Sequence, residues 1–266
     1  MAGTAVVTGG GSGIGRALCL EMVSRGYQIV VSDMDIDQAE MTAREIRRHG
    51  GSAVALCCDV TDEKQVAELA ETAILTYGVP DLVFSNIGNG IRIQDSYATA
   101  RKDMMALPGL NVFGMWNVAA RFAEAAVGAG RPTRIIFTVS ECGIRGPFGG
   151  SGSMIYGAIK HATLAMAESM REELRGLQAE ISILCLDQTQ FNFKSSNKKT
   201  AACPGIETDR PFRQYMDHAA GICMDGVEQG DFYIFASAHA FENINDKGLS
   251  CTITGPGLRN NGVPVC

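Results

Sequence analysis

The sequence predicts an α/β fold: a single domain built on a doubly wound parallel sheet of six or seven strands, with helices on both faces. Three observations carry this. Short apolar runs alternate with longer stretches of helical period, the pattern of strand and helix units whose crossovers cover a parallel sheet. A glycine-rich turn, "TGGGSGIG", stands directly between the first apolar run and the first helical stretch. The chain has 266 residues, 46% hydrophobic and 20% charged, enough for one sizeable core in one domain.

The elements follow in order. "TAVVTG" reads as the first strand, with a helix from about Ile14 to Arg25; "QIVVSD" reads as the second, with a helix from about Ile36 to Arg48. "AVALCCDV" precedes the helical "EKQVAELAETAILTYG", and "DLVFSN" precedes a helical stretch around "LNVFGMWNVAARFAEAAV". The strand "RIIFTVS" leads to a helix after Tyr156, and "ISILCLD" forms the next strand. From Phe191 to about Met224 the rhythm breaks, with polar clusters, Pro204, Pro211 and scattered aromatics. An irregular insertion of this length in a compact domain is expected to be a functional lid, here at about 190–225, over a substrate. The ending "GPGLRNNGVPVC" reads as loop, and the chain shows no internal repeat, low-complexity tract or linker.

Charge and cysteine usage exclude several classes. A net charge of −6 and a pI near 5.3 argue against nucleic-acid binding, which needs clustered Lys and Arg to displace counterions. The one basic cluster, "KSSNKK", also reads as a solvated loop. Nine cysteines, at positions 19, 57, 58, 142, 185, 203, 223, 251 and 266, lack the C-x-x-C spacing of a structural zinc site or a dithiol redox motif. Reduced, mostly buried thiols and no metal are expected. "MAGTAVVTGG" carries no basic leader, and no apolar run approaches the roughly 20 residues that span a bilayer. The expectation is a soluble cytoplasmic protein with no membrane partner.

The turn from Thr8 to Gly15 has the context of a dinucleotide fingerprint, after a strand and before a helix. Gly9, Gly13 and Gly15, with Gly11, Ser12 and Ile14 between them, let the backbone turn tightly and approach a pyrophosphate. The phosphate charge then meets the free N–H groups and positive end of the helix, so the sheet is of Rossmann type. Asp33 ends the second strand, eighteen residues after Gly15, where a carboxylate can accept from the adenosine ribose hydroxyls and would repel a 2′-phosphate. Neither Ser12 nor Met34 is a cation that would neutralise such a phosphate, so the cofactor is expected to be NAD rather than NADP.

Further motifs follow in order: "CDV" with Asp59, "SNIG" from Ser85 to Gly88, "LNVFG" with Asn111, "VSECG" with Ser140, and "MIYGAIK" with Tyr156 and Lys160. With the glycine loop and the acidic strand end, the chain resembles the short-chain dehydrogenase/reductase family from about Ala2 to at least Leu186. The resemblance implies that Asp59 and Val60 serve the adenine ring. It implies that Asn86, Ile87 and Gly88, in place of the usual N-A-G, line the cofactor, and that the chain assembles as a homodimer or homotetramer. It also implies a Ser140, Tyr156, Lys160 and Asn111 tetrad, Asn111 fixing a helix kink and a water that positions Lys160.

The residues support these roles chemically. On one helix, Tyr156 and Lys160 fall on the same face. A nearby ammonium and a positive nicotinamide ring would lower the phenol from its usual value near 10, making Tyr156 a general base for alcohol oxidation and an acid in reverse. Ser140 should emerge at the carboxyl edge of the sheet, where α/β folds bind ligands, and there hold the substrate oxygen. Each residue also has an ordinary structural reading: Ser140 as a turn residue, Asn111 as a backbone partner, Tyr156 as a packing ring. His161 points about a third of a turn away from Lys160 and reads as a surface or packing histidine.

Three departures from the family pattern stand out. Ser140 and Tyr156 are sixteen residues apart, longer than usual, with the extra length in the glycine-rich "RGPFGGSGS". In "CLDQTQFNF", Asp187 and Gln188 replace the usual Pro-Gly, and Asn192 stands where a Thr normally holds the nicotinamide carboxamide. Asn192, Thr189 or Gln190 can supply those hydrogen bonds. Asp187 either favours the oxidised cofactor by its charge or faces solvent and caps the next turn. Finally, "MDGVEQGDFYIFASAHAF" resembles a subset of the family that includes dehydrogenases of benzylic alcohols in lignin-type aryl ethers. That points to an aromatic or bulky apolar substrate, with Phe148, Phe191, Phe193, Phe212 and Tyr215 as a pocket wall.

The leading expectation is an NAD(H)-dependent oxidoreductase interconverting a secondary alcohol and a ketone. The alternatives are a non-redox isomerisation or cyclisation with a modified nicotinamide loop, and a non-catalytic dinucleotide-binding protein.

Overall fold

The computed structural model describes residues 3–88, 101–144, 153–186 and 210–236. In chain order these form β1 (Gly3–Thr8), α1 (Gly13–Ser24), β2 (Tyr27–Asp33), α2 (Ile36–Arg48), β3 (Ala53–Cys57), α3 (Glu63–Tyr77) and β4 (Leu82–Ser85). There follow α4 (Arg101–Pro108), a π-helical turn (Gly109–Gly114), α5 (Met115–Ala129), β5 (Thr133–Ser140) and a 3-10 turn (Glu141–Gly143). The last are α6 (Ser153–Glu173), β6 (Ala179–Leu186), α7 (Arg210–Gln229) and β7 (Tyr233–Phe235).

The seven strands form one parallel sheet in the order β3-β2-β1-β4-β5-β6-β7. Register is set by alternation: Val6 lies opposite Val30 and Val83, and all three are buried on one face. Their neighbours Ala5, Val7, Ile29, Val31 and Phe84 are buried on the other. One core therefore lies between the sheet and α1, α2 and α7, and the second between the sheet and α3, α5 and α6. Chain order reverses between β1 and β4, which opens a crevice beyond their carboxyl ends, the place where such sheets bind ligands.

Helix starts follow the sequence closely. Asp35 and Asp62 cap α2 and α3, each accepting from the N–H groups of the second and third helical residues. A difference appears in the segment expected to be irregular through about Met224: α7 begins at Arg210. Pro211 lies in its first turn, where its missing N–H costs no helical bond. The buried side of α7 is Met216, Ala219, Ala220, Cys223, Met224 and Val227, a helical spacing interrupted by polar positions that hide it in the sequence. Tyr215 packs against this core.

Pro108 ends α4 and removes a backbone donor, and the next six residues take the wider π turn around Asn111. Of the six described cysteines, all free, five are buried and Cys57 is exposed. Among the described residues no helix is long and apolar enough to cross a membrane.

Candidate active site

The cofactor half of the site forms where β1, β2 and β4 end. Gly9 has φ +65°, a left-handed conformation that favours glycine. A Cβ on Gly15 would stand 2.1 Å from the Gly9 carbonyl oxygen and 2.7 Å from Asn86 Nδ2, so only hydrogen fits there. Thr8 Oγ1 donates to the Phe84 carbonyl at 3.0 Å and accepts from Asn86 N–H at 3.1 Å, tying the ends of β1 and β4 together. Asn86 Nδ2 donates to the Thr8 carbonyl at 3.3 Å, while its buried Oδ1 has no partner among the described residues.

Asp33 closes the other side. Its Oδ2 accepts from Gly11 N–H at 3.0 Å and its Oδ1 from Asp35 N–H at 3.1 Å, so the carboxylate lies against the glycine loop. Ser12 is exposed and makes no side-chain cap, which leaves the N-terminal end of α1 open to a ligand. Met34 is 65% exposed and brings no charge to Asp33. Asp59 accepts from the Thr61 N–H and hydroxyl at 2.9 and 2.7 Å. Ile14 and Val60 have buried side chains, so only their backbones are available to a ligand. Ile87 is half-buried and Gly88 exposed at the β4 end. A glycine-lined cradle, an open helix terminus and the Asp33 carboxylate against the glycine loop fit a dinucleotide.

The chemical half lies beyond β5. Ser140 is buried at the strand end, and its hydroxyl accepts from Cys142 N–H at 3.3 Å; it also acts on the Tyr156 phenol, partly offsetting the effect of burial there. Tyr156 and Lys160 lie one turn apart on α6, with Lys160 Nζ 5.7 Å from the phenol ring centroid. Lys160 is 2% exposed and donates to the Thr138 carbonyl at 3.3 Å. A Cβ on Gly88 would lie 3.1 Å from Lys160 Nζ and 3.6 Å from Asn111 Oδ1, so the β4 loop meets the tetrad directly. Asn111 is buried in the π turn, its Nδ2 donating to the Leu107 carbonyl at 3.1 Å. The structure thus brings Ser140, Tyr156, Lys160 and Asn111 together. His161 is exposed and pairs its Nδ1 with the Gly157 carbonyl at 2.8 Å, away from this group.

The electrostatics correct one expectation. Burial pushes Tyr156 above its ordinary value, opposite to the lowering expected from the sequence, and the neighbouring Ser140 hydroxyl offsets only part of that. Burial also lowers Lys160 to about 8, because a 2% exposed ammonium has lost most of its hydration. A lysine lowered on folding holds its proton less tightly in the folded chain than in the unfolded one. Its penalty on stability is full below about pH 8 and fades as pH rises toward 10.5. Lys160→Met is therefore expected to stabilise the fold at pH 7 by on the order of 3 kcal/mol, and by much less at pH 10. Denaturant unfolding at the two pH values measures this; equal effects at both would contradict it.

Asp187, Gln188, Thr189, Gln190 and Asn192 lie outside the described residues, as do Phe148, Phe191 and Phe193. Three participants were not legible as such: the Thr138 carbonyl under Lys160, Thr163, whose hydroxyl donates to the Asn111 carbonyl at 3.0 Å, and Cys142 beside Ser140. Only Cys142 had a sequence signal, its place two residues after the serine in "VSECG".

Fold and site together are those of an oxidoreductase working at the carboxyl edge of a dinucleotide-type sheet. The model of the short chain dehydrogenase family matches residues 3–201, and the chain belongs to that family. A 1-deoxy-11-beta-hydroxypentalenate dehydrogenase of Streptomyces avermitilis is 31% identical over 245 residues, covering 92% of this chain and 88% of the relative. A short chain dehydrogenase/reductase from Burkholderia phymatum, solved in complex with NAD, shares the fold with a TM-score of 0.80 at 24% identity, over 99% of this chain and 97% of that one. A metagenomic short-chain oxidoreductase, solved in complex with NADP, has a TM-score of 0.63 at 27% identity, over 70% of this chain and 82% of that one. Similar structures thus hold either dinucleotide.

Proposed function

We propose that the protein is an NAD(H)-dependent oxidoreductase interconverting a secondary alcohol and a ketone on an aromatic or bulky apolar substrate. The observation that carries this is Tyr156 one helical turn from a buried Lys160, with Lys160 Nζ 5.7 Å from the phenol ring centroid and Ser140 buried at the adjoining strand end. Ser140 holds the substrate oxygen. Tyr156 removes the hydroxyl proton during oxidation and returns it during reduction. Lys160 supplies positive charge one turn below the phenol, and Asn111 supports it from the π turn. A bound nicotinamide dinucleotide supplies the hydride carrier and, when oxidised, a positive ring that favours the phenolate. With the phenol raised by burial, Tyr156 alone is poised as the acid of the reductive direction.

Asp33 supports NAD over NADP: its carboxylate lies against Gly11, flanked by an exposed, uncharged Met34. Asp187 and Thr189 complete the proposed nicotinamide contacts. A relative named for a hydroxypentalenate supports a hydroxyl-bearing carbon skeleton as substrate, and the proposed lid is the part of the 190–225 insertion ahead of α7. The proposed assembly is a homodimer or homotetramer in the cytoplasm. Titration with NAD and NADP, then a panel of aryl and alicyclic secondary alcohols read by NADH absorbance, tests the reading. NAD should bind at least about tenfold more tightly than NADP, the equivalent of one repelled charge. Binding without turnover across the panel would instead favour a non-catalytic dinucleotide-binding protein.

A further inference from the structure

We propose that a cavity at the amino edge of the sheet is a second ligand site, one that takes an alkyl carboxylate. The cavity has a volume of about 760 Å³, in the range of small-molecule sites. It lies where β5, β6 and β7 begin and α6 ends, at the edge of the parallel sheet opposite the crevice. No residue of the glycine turn or the tetrad lines it. The inference therefore stands apart from the oxidoreductase reading.

The charges around the cavity do not cancel. Three guanidinium groups, of Arg134, Arg171 and Arg175, line it together with two carboxylates, of Glu172 and Glu180. Arg134 pairs with Glu180 and also donates to the Ser182 hydroxyl at 3.1 Å, and Arg175 pairs with Glu172. Arg171 is left over. Among the described residues it has no carboxylate partner, and its guanidinium carbon lies 3.9 Å from the centroid of the Phe232 ring. Glu168, one turn earlier on α6, accepts from the Tyr233 hydroxyl and does not line the cavity. The ring engages the charge of Arg171 but gives its N–H donors no acceptor in a plane where a carboxylate can take two at once. One excess positive charge matches a carboxylate rather than a phosphate dianion, and it stands on a chain whose net charge is −6.

The rest of the wall is apolar, formed by Leu174, Leu177, Ala179, Ile181 and Phe232. Phe232 is already engaged by Arg171 and, edge-on, by Tyr233, with ring centroids 4.5 Å apart. The free wall is therefore aliphatic, which suits an alkyl chain better than a second ring. Leu177 is 46% exposed, so part of this apolar wall faces water until a ligand covers it.

Calorimetric titration of the full chain with hexanoate, octanoate and decanoate, and with octanamide as the uncharged control, tests the proposal. Affinity should rise by up to about fourfold for each methylene added. Octanamide should bind about tenfold or more weaker than octanoate, and Arg171→Met should weaken octanoate by the same factor, the equivalent of one charged hydrogen bond. The methionine keeps an unbranched apolar stem over Phe232, and an unchanged unfolding midpoint shows that the fold is kept. Leu177→Asn changes only an exposed part of the wall and should weaken decanoate more than hexanoate. Equal octanoate affinity in the parent and Arg171→Met would put the ligand elsewhere, in the substrate crevice for example, and overturn the proposal. So would equal binding of octanoate and octanamide, or no saturable binding of any of the three acids at millimolar concentration.

Discussion

Tyr156→Phe is expected to lower turnover of a secondary alcohol by about 10²- to 10⁴-fold, the range for loss of a positioned acid–base group. The substitution removes only the phenol oxygen. The ring still packs against Leu107, Ile155 and Ile159, so the fold should be retained with an unchanged unfolding midpoint. Ser140 keeps its bond from Cys142 N–H. Activity reduced by less than about tenfold would mean that another group, or water, carries the proton.

The second large effect is expected from Gly15→Ala. A methyl carbon cannot lie 2.1 Å from the Gly9 carbonyl oxygen, and the obstacle is backbone, so no side-chain rotation relieves it. The turn has to open, at a cost of about 3 kcal/mol, and with it goes the surface that would meet the pyrophosphate. Dinucleotide binding should be undetectable at concentrations that saturate the parent. Gly13→Ala is the informative comparison. Its Cβ would meet nothing within 4 Å, and its only strain is the backbone at φ +51°, so its effect should be nearer 1 kcal/mol. Equal binding by Gly15→Ala and the parent in a calorimetric titration would remove the glycine turn from the site.

What the sequence showed and what it hid have physical causes. α2 begins and ends at Ile36 and Arg48 as its pattern indicates, because an aspartate cap and a strong apolar period agree there. The glycine turn was legible because its conformation and close contacts admit so few residues. α7 was hidden because Pro211 reads as a breaker when it stands in a first turn, and because polar residues punctuate its buried side. The upward push on Tyr156 was not legible at all. Its spacing from Lys160 shows that a cation is near, whereas the dominant cause is burial by Leu107, Ile155, Ile159 and the Ser140 turn, which only the fold assembles.

The central claim is hydride transfer with Tyr156 handling the proton, and one labelling measurement addresses it most directly. A secondary alcohol that turns over in the panel is prepared with deuterium on its carbinol carbon and incubated with NAD and the protein. The deuterium should appear on the reduced nicotinamide, with a primary isotope effect on the rate, and Tyr156→Phe should slow that transfer by about 10²- to 10⁴-fold. Product formed with the deuterium still on the substrate carbon and no reduced nicotinamide would contradict the account and establish a non-redox reaction on this fold.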